Sequence, residues 1–172
     1  MLFSQSMNNA INEQIGREFG ASLQYVSIAS YFERESLPQL ASFFYRQAQE
    51  ERNHAMRFVH FVNNAGGHVR LPAVAEPQSD FASAEEAVQL SLTWEETVTR
   101  QINALVDQAL KENDHISKSF LDWFVTEQLE EVSSMDTLLN TIRRAGPQGL
   151  LFVEAYIARG NSQPPAKAEA GA

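Results

Sequence analysis

The stretch HVRLPAVAEPQSDF, residues 68–81, contains two prolines and has no helical period, so it is predicted to be a loop. On both sides of it, apolar residues recur at steps of three and four, which is the spacing along one face of a helix. A loop of about 15 residues, at about 3.3 Å per residue, can run the whole length of a long helix. The sequence therefore predicts an all-α fold, a four-helix bundle in which one long crossover joins the second helix to the third.

Residues that start and stop helices delimit the segments. In chain order these are about Ser4 to Arg34, Pro38 to the glycines at 66–67, Ser83 to about Lys111, Asp114 to residues 145–147, and a short fifth helix between 147 and 159. Ser83 and Glu86 have capping-box spacing, and Asp114 is a typical helix cap. We expect residues 1–159 to form one domain and residues 160–172, rich in proline and alanine, to form a flexible tail.

The apolar stripes of the first and fourth helices are predicted to face the core. The residues assigned to them are Ile11, Ile15, Phe19, Leu23, Val26, Phe120, Trp123, Phe124, Leu129, Met135 and Leu138.

Composition limits the classes of function. The chain has 172 residues, 44% of them hydrophobic, which is enough for one buried core. It has no cysteine, so any metal must be held by carboxylate, amide or imidazole groups. A net charge of −9 disfavours nucleic acid as a partner. No apolar run approaches the roughly 20 residues of a membrane span, and no secretory leader is recognisable, so a soluble cytoplasmic protein is expected.

A repeated spacing of polar residues links the helices in pairs. Glu18 on the first helix precedes Glu51 on the second by the same interval that separates Glu95 on the third from Gln128 on the fourth. Three residues after Glu51 comes His54, and three after Gln128 comes Glu131. Side chains three apart share a helix face. Folded as antiparallel hairpins, the two halves are expected to bring these six side chains to one level in the bundle centre.

Several buried carboxylates cost several kcal/mol each unless cations neutralise them, so a pair of metal ions is the natural compensation. In this arrangement Glu51 bridges two ions, Glu18 and His54 complete the first site, and Glu95 and Glu131 serve the second. Gln128 is neutral and would leave the second ion more exchangeable. Taken singly, each glutamate would be a solvated surface charge, and only the doubled spacing argues against that interpretation.

The four segments that carry this pattern resemble the corresponding segments of bacterial non-haem ferritins, most closely of the actinobacterial type. They are NEQIGREFGASLQY, QAQEERNHAM, TWEETVTRQIN and DWFVTEQLEE. The resemblance covers roughly residues 8–158 and implies an iron-storage protein with ferroxidase activity, which oxidises Fe(II) with dioxygen or hydrogen peroxide. It also implies a homo-oligomeric cage of 24 subunits with an iron mineral inside.

The resemblance also implies roles for single residues. Glu18, Glu51 and His54 would hold one iron, and Glu51 with Glu95 the other. Gln128 matches the family's glutamine near the dioxygen or second-iron position. Tyr25 matches its redox-active tyrosine, and Trp123 an aromatic near the site. The acidic residues of a third iron site in some bacterial ferritins are matched by Glu50, Glu127, Glu130 and Glu131.

Sequence features distinguish this chain from two related classes of protein. In bacterioferritins, a methionine beside the first Glu-x-x-His motif binds haem, whereas this chain has Arg52 there, so no haem is expected. The alternative function is a ferritin-like di-metal peroxidase or catalase. Against it stand Gln128 in place of a bridging carboxylate, the fifth helix, and the lack of rubredoxin-type cysteines.

Overall fold

A computed structural model describes residues 1–160 and confirms the predicted all-α bundle. Its elements are α1 (Gln5–Arg34), α2 (Pro38–Asn64), α3 (Ala84–Glu112), α4 (His115–Ala145), a 3₁₀ turn (Pro147–Gly149) and α5 (Leu150–Gly160). No strand occurs among these residues. The predicted tail lies almost entirely outside the described residues. Within the described part, no helix is both long and apolar enough to cross a bilayer.

Side chains cap three of the long helices at their first turns. Ser4 accepts a hydrogen bond from the Met7 backbone N–H, Ser83 from that of Glu86, and Asp114 from that of Ser117. The α2 helix begins at Pro38, and its N-cap residue, Leu37, makes no side-chain capping hydrogen bond. Instead Glu154 on α5 accepts the backbone N–H groups of Gln39 and Leu40, each at 2.8 Å. The fifth helix is therefore anchored on the start of the second.

Amide side chains of α1 fasten the crossover to the bundle. Asn8 donates to the carbonyl of His68 and accepts its N–H, at 3.0 and 2.9 Å. Asn12 accepts the N–H of Arg70 at 2.9 Å. Further along, Gln24 donates to the Gln78 carbonyl and accepts the Gln78 N–H, at 2.8 and 2.9 Å. These bonds satisfy loop backbone groups that would otherwise lack partners.

The core consists of two apolar clusters with a polar layer between them. One cluster contains Tyr25, Phe44 and Met135, and the other contains Ile15 and Phe58. Along α1 and α4 the chain passes from the second cluster to the first, and along α2 and α3 it passes from the first to the second. The α3 helix therefore starts at the end of the bundle where α2 started, as the long crossover predicted.

Three predicted core positions are wrong. Leu23, Val26 and Leu129 are 48%, 43% and 73% exposed. Phe19, Phe120 and Trp123 are only half-buried. The reason on α1 is that the helix carries apolar residues on two faces. Its buried face passes through Glu18, Ala21, Tyr25 and Ile28, whereas Leu23 lies with Leu71 and Val74 of the crossover around a surface cavity.

Candidate metal centre

All four long helices contribute to the polar layer. The α1 helix supplies Glu18, α2 supplies Glu51 and His54, α3 supplies Glu95, and α4 supplies Gln128 and Glu131. Each of these six side chains is buried. On every helix the polar position falls where one apolar cluster ends and the other begins.

The ligand atoms form three overlapping groups, and within each group they lie within 4.8 Å of one another. The groups are Glu18 with Glu51 and His54; Glu51 with Glu95 and Glu131; and His54 with Glu127 and Glu131. Any two groups share one residue, either Glu51, His54 or Glu131. The first two groups have the composition that the sequence spacing predicts. Three carboxylate or imidazole donors in each group suit a transition-metal ion.

Glu51 occupies the middle of the layer with an unsatisfied oxygen. Its Oε1 is buried and has no hydrogen-bond partner, and only 1% of the residue is exposed. A buried acceptor without a donor costs about 1–3 kcal/mol. A cation coordinated by this oxygen would remove that penalty, so the residues present fit metal ions shared through Glu51.

His54 is held in a neutral form suited to ligation. Its Nδ1 lies 3.5 Å from Glu51 Oε2 and its Nε2 lies 3.7 Å from Glu127 Oε1. Burial, with a smaller effect of the Arg57 charge, lowers the His54 pKa to about 4. The ring of Trp123 packs edge-on against the imidazole, with centroids 5.5 Å apart, and carries the Arg57 guanidinium on its face.

The carboxyl groups of the layer retain protons when no metal is bound. Burial raises the pKa of Glu18 to about 7 and that of Glu131 to about 9. Burial also raises the pKa of Glu51 and Glu95, and neighbouring carboxylates raise that of Glu51 further. Binding of divalent cations would displace these protons, so the layer is a site where metal replaces acid protons.

Glu95 is the most fully hydrogen-bonded carboxylate of the layer. The fully buried Tyr25 hydroxyl donates to its Oε1, and Gln128 Nε2 donates to its Oε2 at 3.2 Å. The same Gln128 nitrogen lies 3.2 Å from the Glu95 carbonyl and from Thr99 Oγ1. Gln128 therefore acts as a donor to Glu95 in this structure.

The acidic residues expected at a third site are distributed unevenly. Glu127 is half-buried and joins the group that contains His54 and Glu131. Glu50 and Glu130 are exposed and belong to none of the three groups. Glu50 accepts a hydrogen bond from Gln47. Burial and then the charges of Glu130 and Glu50 raise the pKa of Glu127. Glu50 and Glu130 therefore add negative potential beside the group.

Gln14 also contacts this layer, and the spacing analysis missed it. It is 0% exposed and its Nε2 donates to Glu18 Oε1 at 2.8 Å. The available signal was its position one helical turn before Glu18, on the same face.

Comparison with known proteins agrees with this architecture. A family model described as Ferritin-like domain matches residues 8–145. The chain belongs to the ferritin family. It is 43% identical over 149 residues to Ferritin BfrB of Mycolicibacterium smegmatis, covering 87% of this chain and 82% of that protein. It is 37% identical over 145 residues to a bacterial non-heme ferritin of Staphylococcus aureus, covering 84% and 87% of the two chains.

Solved ferritin structures have the same fold. The open pore ferritin from the hyperthermophilic archaeon Archaeoglobus fulgidus superposes with a TM-score of 0.88 at 36% identity. This match covers 91% of the present chain and 97% of the archaeal one. The resemblance to ferritins predicted from the four sequence segments is thereby confirmed.

Proposed function

We propose that this ferritin stores iron in a cytoplasmic homo-oligomeric cage and is itself the ferroxidase that oxidises the iron. Fe(II) is the substrate, and the ligands are Glu18, Glu51 and His54 at one position and Glu51, Glu95 and Glu131 at the next. The observation that carries this proposal is the overlap of these two groups at Glu51, a buried carboxylate with an oxygen that has no partner.

Shared ligation accounts for the chemistry. Two adjacent Fe(II) ions supply the two electrons that reduce dioxygen to hydrogen peroxide, or the two that reduce hydrogen peroxide to water. Anionic oxygen ligands stabilise Fe(III) more than Fe(II), which favours the oxidation. Tyr25, hydrogen-bonded to Glu95, is a candidate for a further electron. Gln128 is neutral and adds no charge to hold the product, which favours release of Fe(III).

The third ligand group, His54 with Glu127 and Glu131, lies on a path by which iron can pass from the buried ligands to the surface. Glu127 is half-buried, and the exposed Glu50 and Glu130 lie on the solvent side of it. An ion held by His54, Glu127 and Glu131 would leave along increasingly exposed carboxylates. We therefore propose that Glu50 and Glu130 assist transfer of iron, in agreement with the third iron site that the resemblance implies.

Two exposed apolar faces support assembly from copies of this chain, and we propose a cage of 24 subunits. On α1 and the crossover, Leu23, Leu71 and Val74 are 48%, 64% and 37% exposed. On α5, Leu151 and Phe152 are 75% and 79% exposed. Large apolar patches on a soluble domain commonly mark protein interfaces.

A stoichiometric Fe(II) titration of the metal-free protein, followed by absorbance and dioxygen uptake, tests the function. Light scattering on the same sample reports the assembly. Glu51→Ala and His54→Ala should abolish rapid oxidation and retain the oligomer, whereas Glu96→Ala, an exposed position on α3, should behave as wild type. An unchanged initial rate in Glu51→Ala would contradict the proposed site. Peroxide turnover in a small oligomer that accumulates no iron would favour the peroxidase or catalase alternative.

A further inference from the structure

The two outer carboxylates of the layer are each held by a glutamine amide. Gln128 donates to Glu95 at 3.2 Å, and Gln14 donates to Glu18 at 2.8 Å. Both glutamines are buried, with exposed fractions of 4% and 0%. Glu51, between them, has an oxygen without any partner. The layer thus has a carboxylate held by an amide at each end and, in the middle, a carboxylate with one oxygen that no donor occupies.

Arg17 selects the orientation of the Gln14 amide. Its Nη1 donates to Gln14 Oε1 at 3.2 Å. A guanidinium group only donates hydrogen bonds and a carboxylate only accepts them. Turning the amide by 180° would set its NH₂ against Arg17 and its carbonyl against Glu18, and both contacts would be repulsive. With Arg17 in position, Gln14 donates to Glu18.

The hydrogen bonds from Arg17 to Gln14 and from Gln14 to Glu18 connect the protein surface to the polar layer. Arg17 is exposed and lines a groove of about 370 Å³ between α1 and α3, together with Glu13 and Arg100. Gln14 is fully buried behind it. The relay from Arg17 through Gln14 to Glu18 lies entirely within one turn of α1, so a regular helix is sufficient to build it.

We propose that Gln14 is a positioning residue for the first Fe(II) position, that it fixes the orientation of the Glu18 carboxylate, and that Arg17 fixes Gln14 in turn. The inference rests on the proposed role of Glu18 as a ligand. Groups that hydrogen-bond a metal ligand typically change metal affinity by about 10- to 100-fold when removed. We expect an effect of this size at the position that contains Glu18.

Binding of Co(II) to the metal-free full-length protein tests this without turnover, by calorimetry and by the Co(II) absorption spectrum. Gln14→Leu replaces the amide with an apolar side chain of similar size and so removes the donor. It should weaken Co(II) binding at the position that contains Glu18 by about 10- to 100-fold and leave Co(II) binding at the position of Glu51, Glu95 and Glu131 unchanged. In a Glu18→Ala background the same change should have no further effect, because the carboxylate that Gln14 orients is already absent.

Gln24→Leu is the matched control. Gln24 is a buried glutamine on the same helix, 2% exposed, but its two hydrogen bonds go to Gln78 in the crossover. Its loss should lower thermal stability and leave both Co(II) affinities unchanged. Arg17→Met should weaken Co(II) binding at the same position as Gln14→Leu does, by a smaller factor. Arg17→Lys should keep the wild-type Co(II) affinity there, because lysine is also a hydrogen-bond donor.

Three results would overturn the proposal. The first is that Gln14→Leu binds Co(II) with wild-type affinity at both positions, and the second is that it lowers the Co(II) affinity of both positions equally. The third is that Gln24→Leu lowers the Co(II) affinity as Gln14→Leu does, because the loss of affinity would then follow from lower protein stability and not from the contact with Glu18. A wild-type protein that binds no pair of Co(II) ions would overturn the proposed function together with this inference, so the two failures are distinguishable.

Discussion

His54 Nε2 lies 3.7 Å from Glu127 Oε1, on the opposite side of the imidazole from Glu51. Both nitrogens face carboxylates, but a neutral imidazole offers one lone pair, so the ring can serve either ligand group, one at a time. Glu127→Gln replaces a charged ligand by a neutral amide of the same shape. We expect this variant to bind one fewer divalent ion per chain and to keep its initial rate of Fe(II) oxidation, as measured by Zn(II) titration and stopped-flow absorbance.

Glu130→Gln is the control for that variant, since Glu130 is exposed and belongs to none of the three ligand groups. It should bind as many ions as wild type. Equal losses in Glu127→Gln and Glu130→Gln would instead favour an all-carboxylate third site that includes both residues.

Tyr25→Phe should separate binding from electron supply. The hydroxyl of this fully buried side chain donates to Glu95, and a phenylalanine fills the same space. We expect both ions to bind, with loss of any tyrosyl radical signal in freeze-quenched electron paramagnetic resonance spectra. The matched control is Tyr31→Phe, a buried tyrosine on the same helix that packs against Phe32 and Phe81. A radical that persists in Tyr25→Phe would assign the electron to another residue.

The stability of the metal-free protein should fall as the pH rises from about 6.5 to 9. Burial raises the folded-state pKa of Glu18 to about 7 and of Glu131 to about 9, from 4.5. Between pH 4.5 and these pKa values the folded state keeps protons that the unfolded chain has released, so the stability contributed by these carboxyl groups is complete below pH 4.5 and is lost as the pH rises to about 9. His54, with its pKa lowered to about 4 from 6.5, has the opposite effect only below pH 6.5.

Urea unfolding at a series of pH values measures this dependence. Glu131→Gln is neutral at every pH and should flatten the upper part of the profile. Divalent metal should reverse the trend, because binding releases the same protons and is tighter at high pH. A metal-free stability that increases from pH 6.5 to 9 would contradict the raised pKa values.

Removal of the Glu154 carboxylate should loosen the fifth helix. Glu154 is 8% exposed and is the acceptor for two backbone N–H groups at the start of α2, which has no side-chain cap of its own. Glu154→Ala should lower the free energy of unfolding by about 2 kcal/mol, and Glu154→Gln by less because one oxygen remains. Thermal unfolding measures both, with Glu112→Ala at an exposed helix end as control. No difference from the control would mean that α5 is held by its apolar contacts alone.

Local rules predicted the bundle because they act within one or two helical turns. Ser83 and Asp114 have cap geometry that depends only on their immediate neighbours. The equal spacing of Glu18 to Glu51 and of Glu95 to Gln128 was enough to place these four residues at one level, because antiparallel hairpins preserve such intervals.

Features that depend on the identity of a distant partner were not predictable. Leu23 and Leu129 fit a helical apolar period, but periodicity does not tell which of two apolar faces is turned inward. His54 was predicted as a ligand of the first position, whereas its second nitrogen faces Glu127 only because α2 and α4 pack side by side. The anchoring of α2 by Glu154 depends on residues more than a hundred positions apart.

The amide contacts between α1 and the crossover have a consequence for the order in which the chain folds. Asn8, Asn12 and Gln24 bind loop residues about 55 to 60 positions later, before any residue of α3 is needed. The first 81 residues therefore contain the information that directs the chain to the starting point of the second hairpin. During synthesis on the ribosome, α1, α2 and the crossover can therefore pack together before α3 and α4 have been made. Glu18, Glu51 and His54 would then already be in place when the residues of the polar layer on α3 and α4 pack against them.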